Sequence, residues 1–202
     1  MIALIDYGAG NLRSVQNALA RLDEDCVIVT GPDALAGAHA IVFPGVGAAA
    51  PAMAALRKRG LDQAIVAAIH QGIPFLGICL GLQLLFESSA EDGAACLAVL
   101  AGTVERLRTD EKIPHVGWNT VDQVRSHPVL AGVEGAAMYF VHSYVGVPRD
   151  AAVIAAQTTH GNPFTSIIAR KRLVGVQFHP ERSGTAGLHL LANFVRDARS
   201  GA

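Results

Sequence analysis

Five residues, Gly77-Ile78-Cys79-Leu80-Gly81, put a thiol at the tip of the most apolar stretch of the chain, GIPFLGICLGLQLLF (72–86). A side chain held above the end of a parallel strand needs a tight strand-to-helix turn with strained φ and ψ. The residues two before and two after it then crowd each other, and glycine relieves the crowding. This is the logic of the nucleophile elbow G-x-S-x-G, here G-x-C-x-G. A helix beginning at Leu80 would aim its free N–H groups and positive dipole end at the sulfur, favouring the reactive thiolate. The competing reading for any free cysteine is a buried core thiol.

A cysteine nucleophile needs a base, and the base needs a group to orient it. Among the eight histidines, His179 stands at the end of the last strong β run, in VGVQFHPER. Glu181, two residues on, falls on the same side of an extended chain, where its carboxylate would fix the imidazole tautomer and support its positive charge. His142, in YFVHSY, is a rival base but has no carboxylate at that spacing. The oxyanion of a tetrahedral intermediate needs donors as well. The Leu80 N–H is one, and the PGVG turn (44–47), through Val46 and Gly47, is a second source at the same carboxyl edge of a parallel sheet. Taken alone, PGVG is also compatible with a plain turn.

The elements that position these residues are legible from periodicity. IALID (2–6), CVIVT (26–30), AIVFP (40–44) and IPFLGI (73–78) read as short β runs. Helical patterns lie near 11–22, 51–71 and 80–88. Strand–helix alternation predicts right-handed βαβ units and a parallel sheet covered on both faces. The second half is strand-rich, at 97–107, 118–124, 138–147, 151–158, 164–170 and 173–179, with turn residues such as Gly161-Asn162-Pro163 between runs. That half is expected to be partly antiparallel. A closing helix is expected at about 184–199. With no linker, repeat or low-complexity segment, residues 1–202 read as one mixed-sheet α/β domain.

Composition narrows the function classes. Of 202 residues, 51% are apolar and 16% charged, as in a compact α/β protein rather than a disordered or fibrous one. A net charge of -1 gives no electrostatic reason to expect nucleic acid or an anionic membrane. The basic runs at 57–59 and 170–172 read as solvated element ends. Three cysteines, Cys26, Cys79 and Cys96, without C-x-x-C spacing suit a reducing cytosol and neither a disulfide framework nor a zinc site. Asp6 within the first apolar run argues against a signal peptide, and the run at 73–86 is too short to span a bilayer. The expectation is a soluble cytoplasmic protein.

Taken together, these motifs resemble the class I (triad) glutamine amidotransferases, which carry a G-x-C-x-G elbow and a later H-P-E. More narrowly, the chain is similar to the glutaminase subunits of imidazole glycerol phosphate synthase, in histidine biosynthesis. The likeness runs nearly the whole length, through DYGAGNLRSV (6–15), PGVG (44–47), GICLGLQLL (77–85), PHVGWN (114–119), YFVHSY (139–144), FTSII (164–168) and GVQFHPERSG (175–184). It implies a flavodoxin-like, mostly parallel sheet flanked by helices. It also implies that Cys79 attacks the side-chain amide of glutamine, with His179 and Glu181 as its base and orienting group. Gly47, Gln83 and the segment His142, Ser143, Tyr144 would contact the substrate. Ammonia would pass to a (β/α)8-barrel cyclase, met through Asn11, Trp118, Asn119 and Arg182. No metal or organic cofactor is implied. The chain departs from the family in three places: Arg182 replaces the usual Lys after H-P-E, Ala49 replaces an aromatic residue, and His160-Gly161 stands where Tyr-Gly is usual.

Three rivals stay open on sequence. Another triad amidotransferase, serving pyridoxal phosphate, purine or aromatic synthesis, would keep the elbow and H-P-E but not PHVGWN with YFVHSY. A catalytically silent flavodoxin-like binding module would not need the Cys79, His179, Glu181 set. A cysteine α/β hydrolase would place its acid before its histidine, the reverse of the order here. Trp118, the only tryptophan, reads either as core or as an interface anchor. The resemblance puts it at the barrel mouth, partly exposed in the free subunit and buried in the complex.

Overall fold

The computed structural model describes residues 1–200. Strands β1 (Ile2–Ile5), β2 (Cys26–Val29), β3 (Ala40–Gly45) and β4 (Phe75–Cys79) alternate with helices α1 (Leu12–Ala20), α2 (Ala49–Lys58) and α3 (Leu61–His70). A one-turn helix α4 (Leu80–Gln83) follows the cysteine. The second half contributes β5 (Ser88–Ser89), β6 (Ala94–Ala95), β7 (Gly102–Arg106), β8 (His115–Thr120), β9 (Asp122–Gln123), β10 (Ala137–His142), β11 (Tyr144–Pro148), β12 (Ile154–His160), β13 (Asn162–Arg170) and β14 (Leu173–Val176), then α5 (Gly184–Arg199).

The main sheet runs β2-β1-β3-β4-β14-β13-β12-β9. Its first five strands pair in parallel and its last three antiparallel. Alternate residues of the parallel strands feed two cores. Ile2, Leu4, Val42, Leu76 and Ile78 pack with Leu19 of α1 and Leu190, Leu191 and Phe194 of α5. Ala3, Ile5, Ile41, Phe43 and Phe75 pack with Met53 and Leu56 of α2 and Leu61 and Ile65 of α3. This covering of both faces is why the strands read as unbroken apolar runs.

Local chemistry moves several expected boundaries. The pattern at 51–71 is two helices, because Gly60 takes a left-handed φ of 68° between them. The helix expected over 80–88 ends at Gln83. There Leu85 and Phe86 donate to Leu82 and Gln83, three residues back, and the carbonyls of Leu84, Leu85 and Phe86 accept from the segment 97–100. The run 138–147 breaks at Ser143 into β10, paired with β8 in a ribbon, and β11, paired with β7 in a separate small sheet. Of 97–107, only Gly102–Arg106 is strand. Among the described residues no helix is long and apolar enough to cross a membrane.

The turn from β4 into α4 is built on backbone contact. A Cβ on Gly81 would lie 1.9 Å from the Phe43 carbonyl oxygen, and one on Gly77 would lie 2.6 Å from the Gly81 oxygen. Neither neighbour is a side chain that can swing away. Between them Cys79 is held at φ 53°, a region that costs a non-glycine residue roughly 1–3 kcal/mol.

Where the β8–β10 ribbon meets the main sheet, histidines cluster. His115 and His142 hydrogen-bond ring to ring at 3.1 Å, and His160 stacks on His115 with centroids 4.2 Å apart. Burial, helped by neighbouring imidazoles, pushes His115 down to about 4 and His142 to about 3.

Two predictions follow from this packing. Gly81→Ala should lower stability by about 3 kcal/mol or more, because overpacking against backbone cannot relax through a rotamer change; a denaturation midpoint within error of wild type would refute the contact. The two rings stay neutral in the fold down to about pH 4, whereas in the unfolded chain they protonate near 6.5. Stability should therefore fall as pH drops from 6.5 towards 4, with the unfolded state taking up as many as about two extra protons. Urea midpoints at pH 7 and pH 5 measure this, and equal midpoints would mean that both rings protonate in the fold.

Candidate active site

Cys79 closes β4, pairs in register with Gly45 of β3, and so brings the PGVG turn alongside the sulfur. His179 enters from the turn after β14. Its backbone N–H donates to the Tyr139 carbonyl of β10 at 2.9 Å, and its own carbonyl accepts from the Ser183 hydroxyl at 2.6 Å. The Ser183 oxygen in turn accepts from the Tyr139 N–H at 2.9 Å. The imidazole is therefore pinned by backbone on both sides and is 4% exposed.

His179 Nδ1 meets Glu181 Oε1 at 2.9 Å, with the carboxylate side chain also buried. Burial opposes charge on this imidazole, but the Cys79 sulfur and the Glu181 carboxylate outweigh it and raise its pKa to about 10. Among the described residues no nitrogen or oxygen completes a hydrogen bond to Nε2, so that edge of the ring is left to the Cys79 sulfur. The imidazole carries a proton at neutral pH, as a nucleophile's acid–base partner requires.

A cavity of about 240 Å³ opens on this pair and is lined by Val46, Gly47, Cys79, Leu80, Gln83, Glu91, Val141, His142, Ser143, Tyr144 and His179. Every residue that the sequence suggested for oxyanion or substrate contact borders it. A larger cavity of about 660 Å³ along β7 has no cysteine or histidine in its lining. Gln83 Nε2 donates to the Tyr144 carbonyl at 2.9 Å and to Gln177 Oε1 at 3.2 Å, and Gln177 Nε2 approaches Cys79 Sγ at 3.6 Å. His142 turns its Nδ1 to the Tyr144 carbonyl at 3.1 Å and lends its Nε2 to His115. Its depressed pKa keeps it neutral, so His179 alone of the two candidate bases carries charge. The Val46 N–H donates to the Tyr7 hydroxyl at 3.1 Å. In this arrangement it is engaged there, whereas the sequence reading had it as an oxyanion donor. Among the described residues no three His, Cys, Asp or Glu side chains gather as a metal site.

Two residues escaped the sequence reading. Gln177 is fully buried on the strand that leads to His179, and a buried amide two residues before the base, on the same side of an extended chain, was a usable signal. Glu91 had no local signal, since only the folding of the 84–100 segment brings it to the cavity.

The residues expected at a partner face also lie together. On β8, Trp118 is 58% exposed and Val116 is 56% exposed, both on one side of the ribbon. Trp118 packs edge-to-face on Tyr139 at 6.1 Å, and the Arg182 guanidinium sits 4.5 Å over that same tyrosine ring. Asn119 spans His115 at 3.3 Å and the Thr159 carbonyl at 2.8 Å. Asn11 stands at the start of α1, whose side packs against the 180–182 turn.

Comparison with known proteins agrees with this geometry. The family model for glutamine amidotransferase class-I matches residues 3–198. The imidazole glycerol phosphate synthase subunit HisH of Dehalococcoides mccartyi (strain CBDB1) is 48% identical over 200 residues, covering 98% of each chain. Its counterpart from Chloroflexus aurantiacus is 48% identical over 202 residues, covering 97% of this chain and 95% of that one. In fold, a solved glutamine amidotransferase superposes with a TM-score of 0.79 at 20% identity, over 98% of this chain and all of that one. With its elbow, its histidine–carboxylate pair and this near full-length match, the chain belongs to the class-I glutamine amidotransferase family.

Proposed function

We propose that this chain is the glutaminase subunit of an imidazole glycerol phosphate synthase, hydrolysing glutamine and passing ammonia to a (β/α)8-barrel cyclase that closes the imidazole ring in histidine biosynthesis. The observation that carries the chemistry is Cys79, held at positive φ above the sheet edge and facing a buried imidazole braced by Glu181 at 2.9 Å. The narrower assignment is supported by the likeness to HisH subunits over nearly the full length. A cytosolic setting fits the three free cysteines.

In this reading Cys79 Sγ attacks the side-chain carbonyl carbon of glutamine while the thiol proton is held on His179 Nε2. The oxygen becomes an oxyanion, taken by N–H groups at the start of α4 (Leu80) and in the PGVG turn. The C–N bond then breaks as His179 gives its proton to the departing ammonia, leaving a γ-glutamyl thioester. Water loses a proton to the same nitrogen, attacks the thioester carbon and releases glutamate as the C–S bond breaks. Glu181 keeps Nδ1 occupied throughout, so Nε2 always faces the reaction. Glu91 supplies the acidic group for the ammonium of the amino acid, and Gly47, Gln83 and residues 142–144 line the remaining contacts.

Glutamine hydrolysis by the purified chain, alone and with the cyclase, tests the assignment. Cys79→Ala should abolish hydrolysis with the fold intact, and a thiol-directed glutamine analogue should label Cys79 only. Burial pushes Cys96 up to about 11 and raises Cys26 as well, so both are poor nucleophiles near neutrality; labelling at either would overturn the site. Glu181→Gln should cost less than His179→Ala, because it removes the charge but keeps a polar partner for Nδ1. Equal losses would give Glu181 a larger role.

At the partner face, Trp118 emission should shift to shorter wavelength when a tryptophan-free cyclase is added. Trp118→Ala should weaken association by about 2 kcal/mol or more, as for an aromatic hot spot. An emission spectrum unmoved by the cyclase would place Trp118 outside the interface.

A further inference from the structure

Gln177 follows β14 and is fully buried, with its backbone N–H donating to the Ser166 carbonyl of β13 at 2.9 Å. It does not line the cavity beside Cys79. Its side chain nonetheless reaches the sulfur, and the surrounding bonds decide which end of the amide points there. The Tyr144 carbonyl can only accept, so Gln83, 2.9 Å away, must turn its NH2 group to it. That same nitrogen lies 3.2 Å from Gln177, which must therefore meet it with its oxygen. The Gln177 NH2 group is left facing Cys79 Sγ at 3.6 Å. A backbone carbonyl thus sets the direction of the whole relay. Neither amide can flip without putting two donors or two acceptors face to face.

The sulfur therefore has two polar neighbours of different kinds. His179 exchanges a proton with it, while Gln177 offers an amide N–H that neither gives up nor takes a proton in the working pH range. Resting on the reading given under Proposed function, we propose that Gln177 is a catalytic residue whose amide N–H stabilises negative charge on the Cys79 sulfur, both before attack and when the sulfur leaves the thioester. A hydrogen bond made to the charged form of a group favours that form. In the first half of the reaction the sulfur gives its electron pair to the carbonyl carbon of glutamine, and the donor loses its charged partner. In the second half water has added, the carbonyl re-forms and the C–S bond breaks. Its electron pair returns to the sulfur, where the same N–H is already in place. Such a donor makes more thiolate but a weaker nucleophile, whereas it only helps the sulfur to leave. Hydrolysis of the thioester is therefore the step that depends on it most. The relay also ties the nucleophile to the cavity, because Gln83 borders that cavity and holds the Gln177 oxygen.

The test is Gln177→Met, which keeps the length of the side chain and removes the donor. A hydrogen bond to a charged group is worth about tenfold or more in an equilibrium. The variant should lose about tenfold in kcat for glutamine, with KM unchanged or lower, and the γ-glutamyl enzyme should accumulate in mass spectra. An unchanged kcat, or a loss confined to KM, would overturn the proposal and leave the glutaminase reading standing. No hydrolysis by wild type, alone or with the cyclase, would overturn both. Alkylation of Cys79 by iodoacetamide, followed at its own peptide, separates a lost donor from a structural fault without using glutamine. The variant should react about threefold more slowly on the acid side of the pH profile. On the alkaline side, where the thiol ionises without help, it should match or exceed wild type. Parallel profiles at every pH would remove Gln177 from the sulfur. A further readout needs no substitution at 177: Cys79→Ala should move one of the two Gln177 side-chain amide protons in the NMR spectrum far more than the other, since only the one facing the sulfur loses a partner. Equal movement of the two, or none, would sink the contact.

Discussion

The backbone crossing at the end of β4 is the constraint from which the site follows. Gly81 passes so close to the Phe43 carbonyl that no side chain fits, and that closeness lets the chain reverse into α4 within one residue of the strand. Cys79 absorbs the reversal in its own φ, and its sulfur is thereby set above the sheet edge instead of into the core. The register of β3 against β4 then places Gly45 opposite Cys79. The PGVG turn reaches the sulfur for no reason beyond sheet geometry. A site assembled this way stores strain in Cys79, and the cost is carried by two apolar cores packed on opposite faces of the same strands.

His179 is placed by a different device. Strand β10 holds the turn that carries His179 through its backbone, and Ser183 closes the clamp. The Tyr139 side chain meanwhile lies under Arg182 and against Trp118. Tyr139 thus carries the surface cluster on its ring and the His179 turn on its main chain. Tyr139 is tied to His179 twice, directly by a hydrogen bond of 2.9 Å and again through Ser183.

Several of the polar groups sunk in the site are linked in sequence. Gln83, Gln177 and the Tyr144 carbonyl form a chain that ends at the sulfur, and His142 and His115 form another that ends at Asn119. Buried amides and imidazoles left alone would cost several kcal/mol each. Linked, they hold the cavity wall beside the Cys79 sulfur. His160, which stands where the family usually has tyrosine, extends the second chain by stacking on His115 and lends it another imidazole in place of a phenol.

Sequence alone determined the residues whose chemistry is local. The elbow at 77–81 follows from the need for glycine on both sides of a strained residue, His179 and Glu181 from the two-residue period of extended chain, and the parallel half from strand–helix alternation. Those are short-range constraints, and a chain writes them in consecutive letters. The tertiary structure decided what depends on distant segments meeting. Helix α4 stops at Gln83 because residues 97–100 take the carbonyls of Leu84, Leu85 and Phe86 that a longer helix would use, and no pattern within 80–88 records that competitor. The run 138–147 divides between two sheets at Ser143, although its apolar alternation continues through the break. Glu91 reaches the cavity, and Tyr7 takes the Val46 N–H across a separation of 39 residues, only because the fold brings their loops to one edge of the sheet. Such contacts are enforced by packing, which is a property of the whole chain, and so they left no trace in the segments that make them.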